Sequence, residues 1–151
     1  MIPGDTMFRM VYRAIHTEGP KPTPLPNRTK TGVNEEKIIA AWENQKHRGS
    51  IDGLLPIAVY GEAENPSCGD VVKLDILPTD GIIVDARHSG RACVLCEAGA
   101  EMLCESLIGK SLAQVARLTP ADMLALYEGT PIPVRLGCCL LPLKALKQCF
   151  E

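Results

Sequence analysis

No stretch of this 151-residue sequence approaches the roughly 20 uncharged apolar residues that span a bilayer. Its apolar stretches are short pieces such as Val94-Leu95-Cys96, which argues against a membrane-spanning helix. There is no excess of one charge either: 16 Lys plus Arg oppose 18 Asp plus Glu, a formal net charge of −2. A balance that even creates no field to draw in nucleic acid or an anionic membrane. The opening residues Met1-Ile2-Pro3-Gly4-Asp5 lack the basic patch and continuous apolar core of an export signal, so the expected compartment is the cytoplasm. What is present is 46% hydrophobic content, enough for one domain of ordinary size with its own core. The length is too small for separate cofactor and substrate lobes.

Cysteine is missing from the first 67 residues and then occurs seven times, at 68, 93, 96, 104, 138, 139 and 149. An odd number in a reducing compartment argues against a disulfide framework. Three roles remain: metal binding, sulfur chemistry, and service as small buried apolar residues.

Pro20, Pro22, Pro24 and Pro26 alternate with Lys21, Thr23 and Leu25, a pattern that forbids helix and favours an extended segment. Residues 1–33 are therefore expected to be a partly ordered appendage. Within it Met7, Met10, Val11, Ala14 and Ile15 have the spacing of one short amphipathic helix. The domain proper is expected over 34–151. Asn34, followed by Glu35-Glu36 and then Ile38, Ile39, Ala41 and Trp42, reads as an N-capped helix ending near Gly49. Trp42 is expected in the core. Residues 71–77 alternate and stop at the turn set Pro78-Thr79-Asp80-Gly81 before 82–88, which predicts a β-hairpin with a third strand beside it. A helix is expected from Cys93 to about Ile108, closed by Gly109. Another opens at Thr119-Pro120, with Thr as cap, and ends near Gly129. A last one should run from about Leu140 to Gln148. Strands first and helices afterwards make an α+β domain: a small antiparallel sheet packed against helices.

Cys93-Val94-Leu95-Cys96 is a C-x-x-C, which by itself suggests a thiol redox pair or half of a zinc site. The redox version wants a βαβ context, and a hairpin precedes it instead. Adjacent Cys138 and Cys139 would point about 100° apart on a helix, so only one of them should face a shared site. Position is more informative. Cys68 enters the hairpin, while Cys93 and Cys138 stand at helix starts, where partial positive charge stabilises thiolates. These junctions could converge at one end of the sheet, with Asp70 adding a carboxylate oxygen across the flexible Gly69. The competing reading, scattered core cysteines, stays open at this point. His88 reads as an exposed strand-end residue that is also close enough to be a ligand. Arg135 is either a solvated charge or an attractor for a partner's persulfide or carboxylate. Cys104 reads as core, and Cys96 and Cys139 divide between core on one side and support of the site or relay of sulfur on the other.

Several motifs together resemble the iron–sulfur cluster assembly scaffold family of IscU, SufU and the NifU N-terminal domain. They are Asn65-Pro66-Ser67-Cys68-Gly69-Asp70, the hairpin ending in Asp85-Ala86-Arg87, Gly90-Arg91-Ala92-Cys93 before a small-residue helix, Gly109-Lys110, and Pro133-Val134-Arg135-Leu136-Gly137-Cys138. The resemblance covers about residues 35–151, and its three cysteine motifs occur in the family's order. It implies that Cys68, Asp70, Cys93 and Cys138 bind zinc or iron in a nascent [2Fe–2S] cluster, with Cys93 and Cys138 taking part in any sulfur chemistry. The wording around Cys68 is similar to SufU, yet the long insertion that SufU proteins have before the last cysteine is missing. Gly137 stands where IscU proteins usually carry His. Pro131-Ile132-Pro133-Val134-Arg135 is only similar to the motif by which IscU engages a chaperone.

The function implied is a non-enzymatic scaffold that receives sulfur from a cysteine desulfurase, binds iron, and passes a cluster to apo iron–sulfur proteins, with a chaperone as a further partner. The alternative is a zinc-dependent persulfide acceptor of SufU type, a sulfurtransferase. A third reading, a structural zinc module that binds partners, involves no sulfur transfer.

Overall fold

A computed structural model describes residues 32–51 and 58–151. The expected helix around Met7–Ile15 and the alternating prolines lie outside those residues.

Helix α1 (Glu35–Glu43) begins as its sequence dictates: the Asn34 side chain accepts the Lys37 N–H at 3.2 Å, and two glutamates occupy the first turn. It does not continue to Gly49. Asn44 leaves helical geometry and its side chain donates back to the Ala40 carbonyl at 3.2 Å. The following residues serve the sheet instead, because Gly49 N–H donates to His88 O at 2.8 Å and His88 N–H to His47 O at 2.9 Å. A backbone pairing outward with a strand cannot also close helical rings. Trp42 is not core either. It is 40% exposed, its indole N–H donating to Glu97 Oε2 at 3.0 Å.

Strands β1 (Val59–Asn65), β2 (Asp70–Thr79) and β3 (Ile82–Arg91) form an antiparallel sheet in that order. The hairpin turn is tighter than the sequence suggests. Asp80 and Gly81 take it alone with φ of 53° and 77°, the two-residue left-handed turn that Asp-Gly favours. Pro78 and Thr79 stay in the strand, where a register shift between Leu77 and Pro78 absorbs the proline. Alternation then buries Val72, Leu74 and Ile76 of β2.

Cys93 N-caps α2 (Val94–Leu107), and Gly109 follows its end with φ of 86°. Two short helices, α3 (Leu112–Ala116) and α4 (Pro120–Ala125), each start at a capping box, Ser111 with Gln114 and Thr119 with Asp122. The last helix, α5 (Leu136–Gln148), begins four residues earlier than expected, because a single 3-10 turn, Pro133–Arg135, runs straight into it. Proline at the head of that turn supplies helical φ in advance, and Cys138 comes to lie inside the first turn of α5. Helix α5 packs on β1 and β2, α2 on β3 and β2, and α1 on α2. Helices on one side of an antiparallel sheet are an α+β arrangement.

The pairing register fixes where chemistry can occur. Asn65 faces Asp70 and Val71 faces Arg91, so the Cys68 loop and the exit towards Cys93 share one end of the sheet. The turn at Asp80-Gly81 is at the other.

Candidate metal centre

Between Asn65 and Asp70 only four residues are available to reverse the chain. Asn65 organises them: its side chain accepts Ser67 N–H at 3.1 Å, and its carbonyl accepts Cys68 N–H at 3.3 Å and Gly69 N–H at 2.8 Å. Gly69 turns with φ of 75°, a conformation with a steric cost for any residue bearing a Cβ. Cys68 is thereby presented exposed at the loop tip, and Asp70, the first residue of β2, is turned inward and buried.

The first turn of α5 comes down beside this loop. A Cβ on Gly137 would lie 3.1 Å from the Asn65 side-chain nitrogen, so glycine there permits the close approach. Cys68 Sγ and Cys138 Sγ are 3.9 Å apart. Two thiolates bound at about 2.3 Å to one tetrahedral ion stand about 3.8 Å from each other. Single ligand atoms from Cys68, Asp70 and Cys138 all lie within 4.8 Å of one another. Cys93 is not part of this tight set. It stands next to it at the head of α2 without a side-chain capping bond, close enough for Asp70 and Cys138 to act on its thiol. The structure thus brings together three of the four expected residues and sets the fourth at the margin.

Electrostatics agree with a site suited to a cation. Asp70 Oδ2 is buried and has no hydrogen-bond partner among the described residues; such an orphan is costly unless a partner of opposite charge satisfies it. Burial raises the Cys138 thiol to about 12, with Cys93 and Cys68 adding to the rise. Burial also raises Cys93; the Cys96 N–H of the first helical turn opposes it and Asp70 reinforces it. These neighbours disfavour the Cys93 and Cys138 thiolates, and a bound cation would reverse that by deprotonating the thiols it ligates. The residues therefore fit a thiophilic metal. Three soft sulfurs and one harder oxygen suit zinc and iron alike.

The remaining cysteines separate cleanly. Cys96, Cys104 and Cys139 are wholly buried, and Cys149 nearly so. Cys104, expected in the core, is there, its thiol raised by burial. Cys96 is raised by burial and next by the Cys93 charge, so it lies under the site. Arg135 is exposed on the turn before α5.

His88 departs from expectation. It is 2% exposed, with Nε2 3.3 Å from Glu101 Oε1. Glu101 also accepts His47 N–H at 2.8 Å and lies 2.6 Å from His47 Nδ1. Burial pushes the Glu101 carboxyl up, but the hydrogen bonds from His47 and His88 outweigh it and hold it at about 2. His88 is committed to this carboxylate, which ties α2, β3 and the segment after α1 together. Sequence gave no sign of it, since the partners are 54 and 13 residues apart. Tyr127 was also missed; its hydroxyl reaches both helices that carry site cysteines.

Residues 33–151 match the sequence model of the family described as NifU-like N terminal domain. The chain is 34% identical over 113 residues to the iron-sulfur cluster assembly scaffold protein IscU of Escherichia coli (strain K12), covering 74% of this chain and 87% of that protein. It is 27% identical over 132 residues to the IscU of Thermotoga maritima, covering 77% and 91%. Among solved structures it is similar to a putative iron-sulfur cluster assembly scaffold protein for the SUF system from Fervidobacterium islandicum, with a TM-score of 0.62, 27% identity, and coverage of 74% and 92%. A nitrogen-fixing NifU-like protein (N-terminal) from Brucella abortus shares the fold, with a TM-score of 0.59 and 21% identity over 76% of this chain and 90% of that one.

Proposed function

Because the chain belongs to the NifU-like N-terminal domain family, we propose that it is an iron–sulfur cluster assembly scaffold whose cargo is held by Cys68, Asp70, Cys93 and Cys138. One observation carries the reading: the convergence of Cys68, Asp70 and Cys138 within 4.8 Å around the unpartnered oxygen of a buried carboxylate. Thiolates are the ligands iron–sulfur clusters need. The exposed Cys68 faces an incoming partner, while Cys138 and Asp70 form the buried wall. In this role the chain receives sulfur from a cysteine desulfurase, binds iron, and gives up a [2Fe–2S] cluster to apo-proteins. One oxygen ligand among sulfurs keeps that cargo exchangeable.

The 3.9 Å spacing of Cys68 and Cys138 also suits a single zinc ion, which favours a second reading. Here a site thiolate attacks the sulfane sulfur of the donor's persulfide, whose S–S bond breaks to release the donor thiolate. Anaerobic incubation with Fe²⁺, cysteine and a desulfurase separates the two. A visible charge-transfer band with about two iron per chain supports the scaffold. Colourless protein that retains zinc and speeds desulfurase turnover overturns it in favour of the acceptor.

A further inference from the structure

Tyr127 is fully buried, and its hydroxyl reaches carbonyls on two different helices. The oxygen is 3.0 Å from Leu95 O and 3.4 Å from Cys139 O. Leu95 lies between Cys93 and Cys96 in the first turn of α2, and Cys139 directly follows Cys138 in the first turn of α5. One phenol therefore spans the two turns that present Cys93 and Cys138. Its own backbone is pinned, because its carbonyl accepts Asn34 N–H at 2.9 Å ahead of α1. The space for it depends on Gly99: a Cβ there would come 1.9 Å from the hydroxyl oxygen.

From this geometry we infer that Tyr127 is a positioning residue for the metal site, a strut whose hydroxyl sets the separation of the Cys93 and Cys138 turns. The inference rests on the ligand assignment of the preceding section. Its physical basis is that a carbonyl has two lone pairs. Leu95 O and Cys139 O can each accept a helical N–H and still share the phenol's single proton, so neither helix needs the hydroxyl in order to form. The hydroxyl adds the link between them. Burial raises the Tyr127 phenol well above its ordinary value, so it remains a donor at any pH at which the protein functions. Without the link, the two turns lose the one bond that joins their backbones through the phenol and keep the softer contact between the Cys93 and Cys138 thiols, so a shift of tenths of an ångström between them is resisted less. Ligand sets respond steeply to displacements of that size.

The test uses the full chain, Zn²⁺ titrated against a chromophoric chelator, and Co²⁺ substitution, whose d–d bands report ligand geometry. Tyr127→Phe keeps the ring and removes only the strut. We expect its Kd for Zn²⁺ to rise about 10-fold, the usual lower bound for losing a group that supports a ligand, with shifted cobalt bands. Gly99→Ala keeps the hydroxyl but displaces it, and should act in the same direction. It carries the test if Tyr127→Phe does not fold. Val115→Ala is the control for stability. Val115 is fully buried in α3, beside the Asp80-Gly81 turn at the opposite end of the sheet, so it should lower the unfolding temperature and leave Kd and spectrum unchanged. A folded Tyr127→Phe with wild-type Kd and cobalt spectrum overturns the strut, as does a Val115→Ala that weakens Zn²⁺ equally. Wild-type protein with no thiolate–cobalt bands overturns the ligand assignment itself, a different outcome.

Discussion

The sulfurs of Cys68 and Cys138 approach to 3.9 Å although 70 residues of chain separate them. The distance is far beyond a disulfide's roughly 2.05 Å, so the two are neighbours across a gap. The gap is kept open from both sides by backbone. Asn65 holds the loop of Cys68, and the 3-10 turn before α5 sets the angle at which Cys138 arrives.

Removing one member of such a set leaves too few soft ligands to offset dehydration of the ion. Cys68→Ser, Cys93→Ser and Cys138→Ser should each weaken Zn²⁺ by more than about 100-fold, beyond the range seen when only a supporting group is lost. Cys149→Ser should not. Its thiol, which burial pushes to about 12, bonds the Ala145 carbonyl at 3.7 Å within α5. Metal content after equilibrium dialysis checks all four variants. Stoichiometric zinc at wild-type affinity in Cys93→Ser would restrict the site to the three residues within 4.8 Å.

The seat of α5 gives a prediction about stability alone. A Cβ on Gly61 would lie 2.2 Å from the Ala145 carbonyl oxygen, and backbone cannot swing aside as a side-chain end can. Gly61→Ala should therefore cost about 3 kcal/mol, the upper range for overpacking. Urea unfolding of the metal-free protein measures it. A loss below about 1 kcal/mol would show that β1 and α5 separate easily.

Local signals carried most of the fold. Asn34 before two glutamates, Asp80-Gly81 between alternating runs and Thr119-Pro120 each act within four residues, and each forms the cap or turn its chemistry favours. Two of the errors share one cause. Residues 45–49 and His88 have helical or surface character by themselves, and what decides their state is Glu101, which the chain brings back 54 residues after His47. Trp42 was misread because an apolar stripe on α1 does not say how much of it α2 will cover. The start of α5 was missed because Gly137 weakens a helical reading, whereas in the structure glycine there leaves room beside the Asn65 side chain. For the site, order and junction position were visible in sequence. The marginal place of Cys93 depends on how α2 tilts, which periodicity does not encode.

Glu101 supplies the pH prediction. Its carboxyl is held at about 2 in the fold against an ordinary value of 4.5, so the folded state binds this proton less readily than the unfolded chain. Its contribution is full above about pH 4.5 and disappears as pH falls from there towards 2. Glu101→Gln should cost about 2 kcal/mol at neutral pH, as expected for charged hydrogen bonds lost in a buried site. It should also flatten the acid limb of the stability curve. Unfolding of metal-free protein at pH 7, 5, 4 and 3 tests both parts. Parallel acid limbs for wild type and variant would remove Glu101 from the account.

Asp70 separates a labile site from a closed one. Its oxygen is a harder, weaker partner for a soft metal than a thiolate, so it is the ligand expected to leave when cargo is handed on. Two opposite effects should follow from Asp70→Ala. Without metal, the variant loses a buried oxygen that has no partner among the described residues and gains about 1 kcal/mol of stability. With an assembled cluster it should keep the cargo longer and transfer it more slowly, by about 10-fold or more, because the ligand that yields most readily has gone. Cluster decay and transfer to an apo-ferredoxin, timed by absorbance in wild type and variant side by side, give the second effect; thermal unfolding of the metal-free proteins gives the first. Transfer from Asp70→Ala as fast as wild type would mean that another ligand is the one that opens, and the exposed Cys68 would take that role.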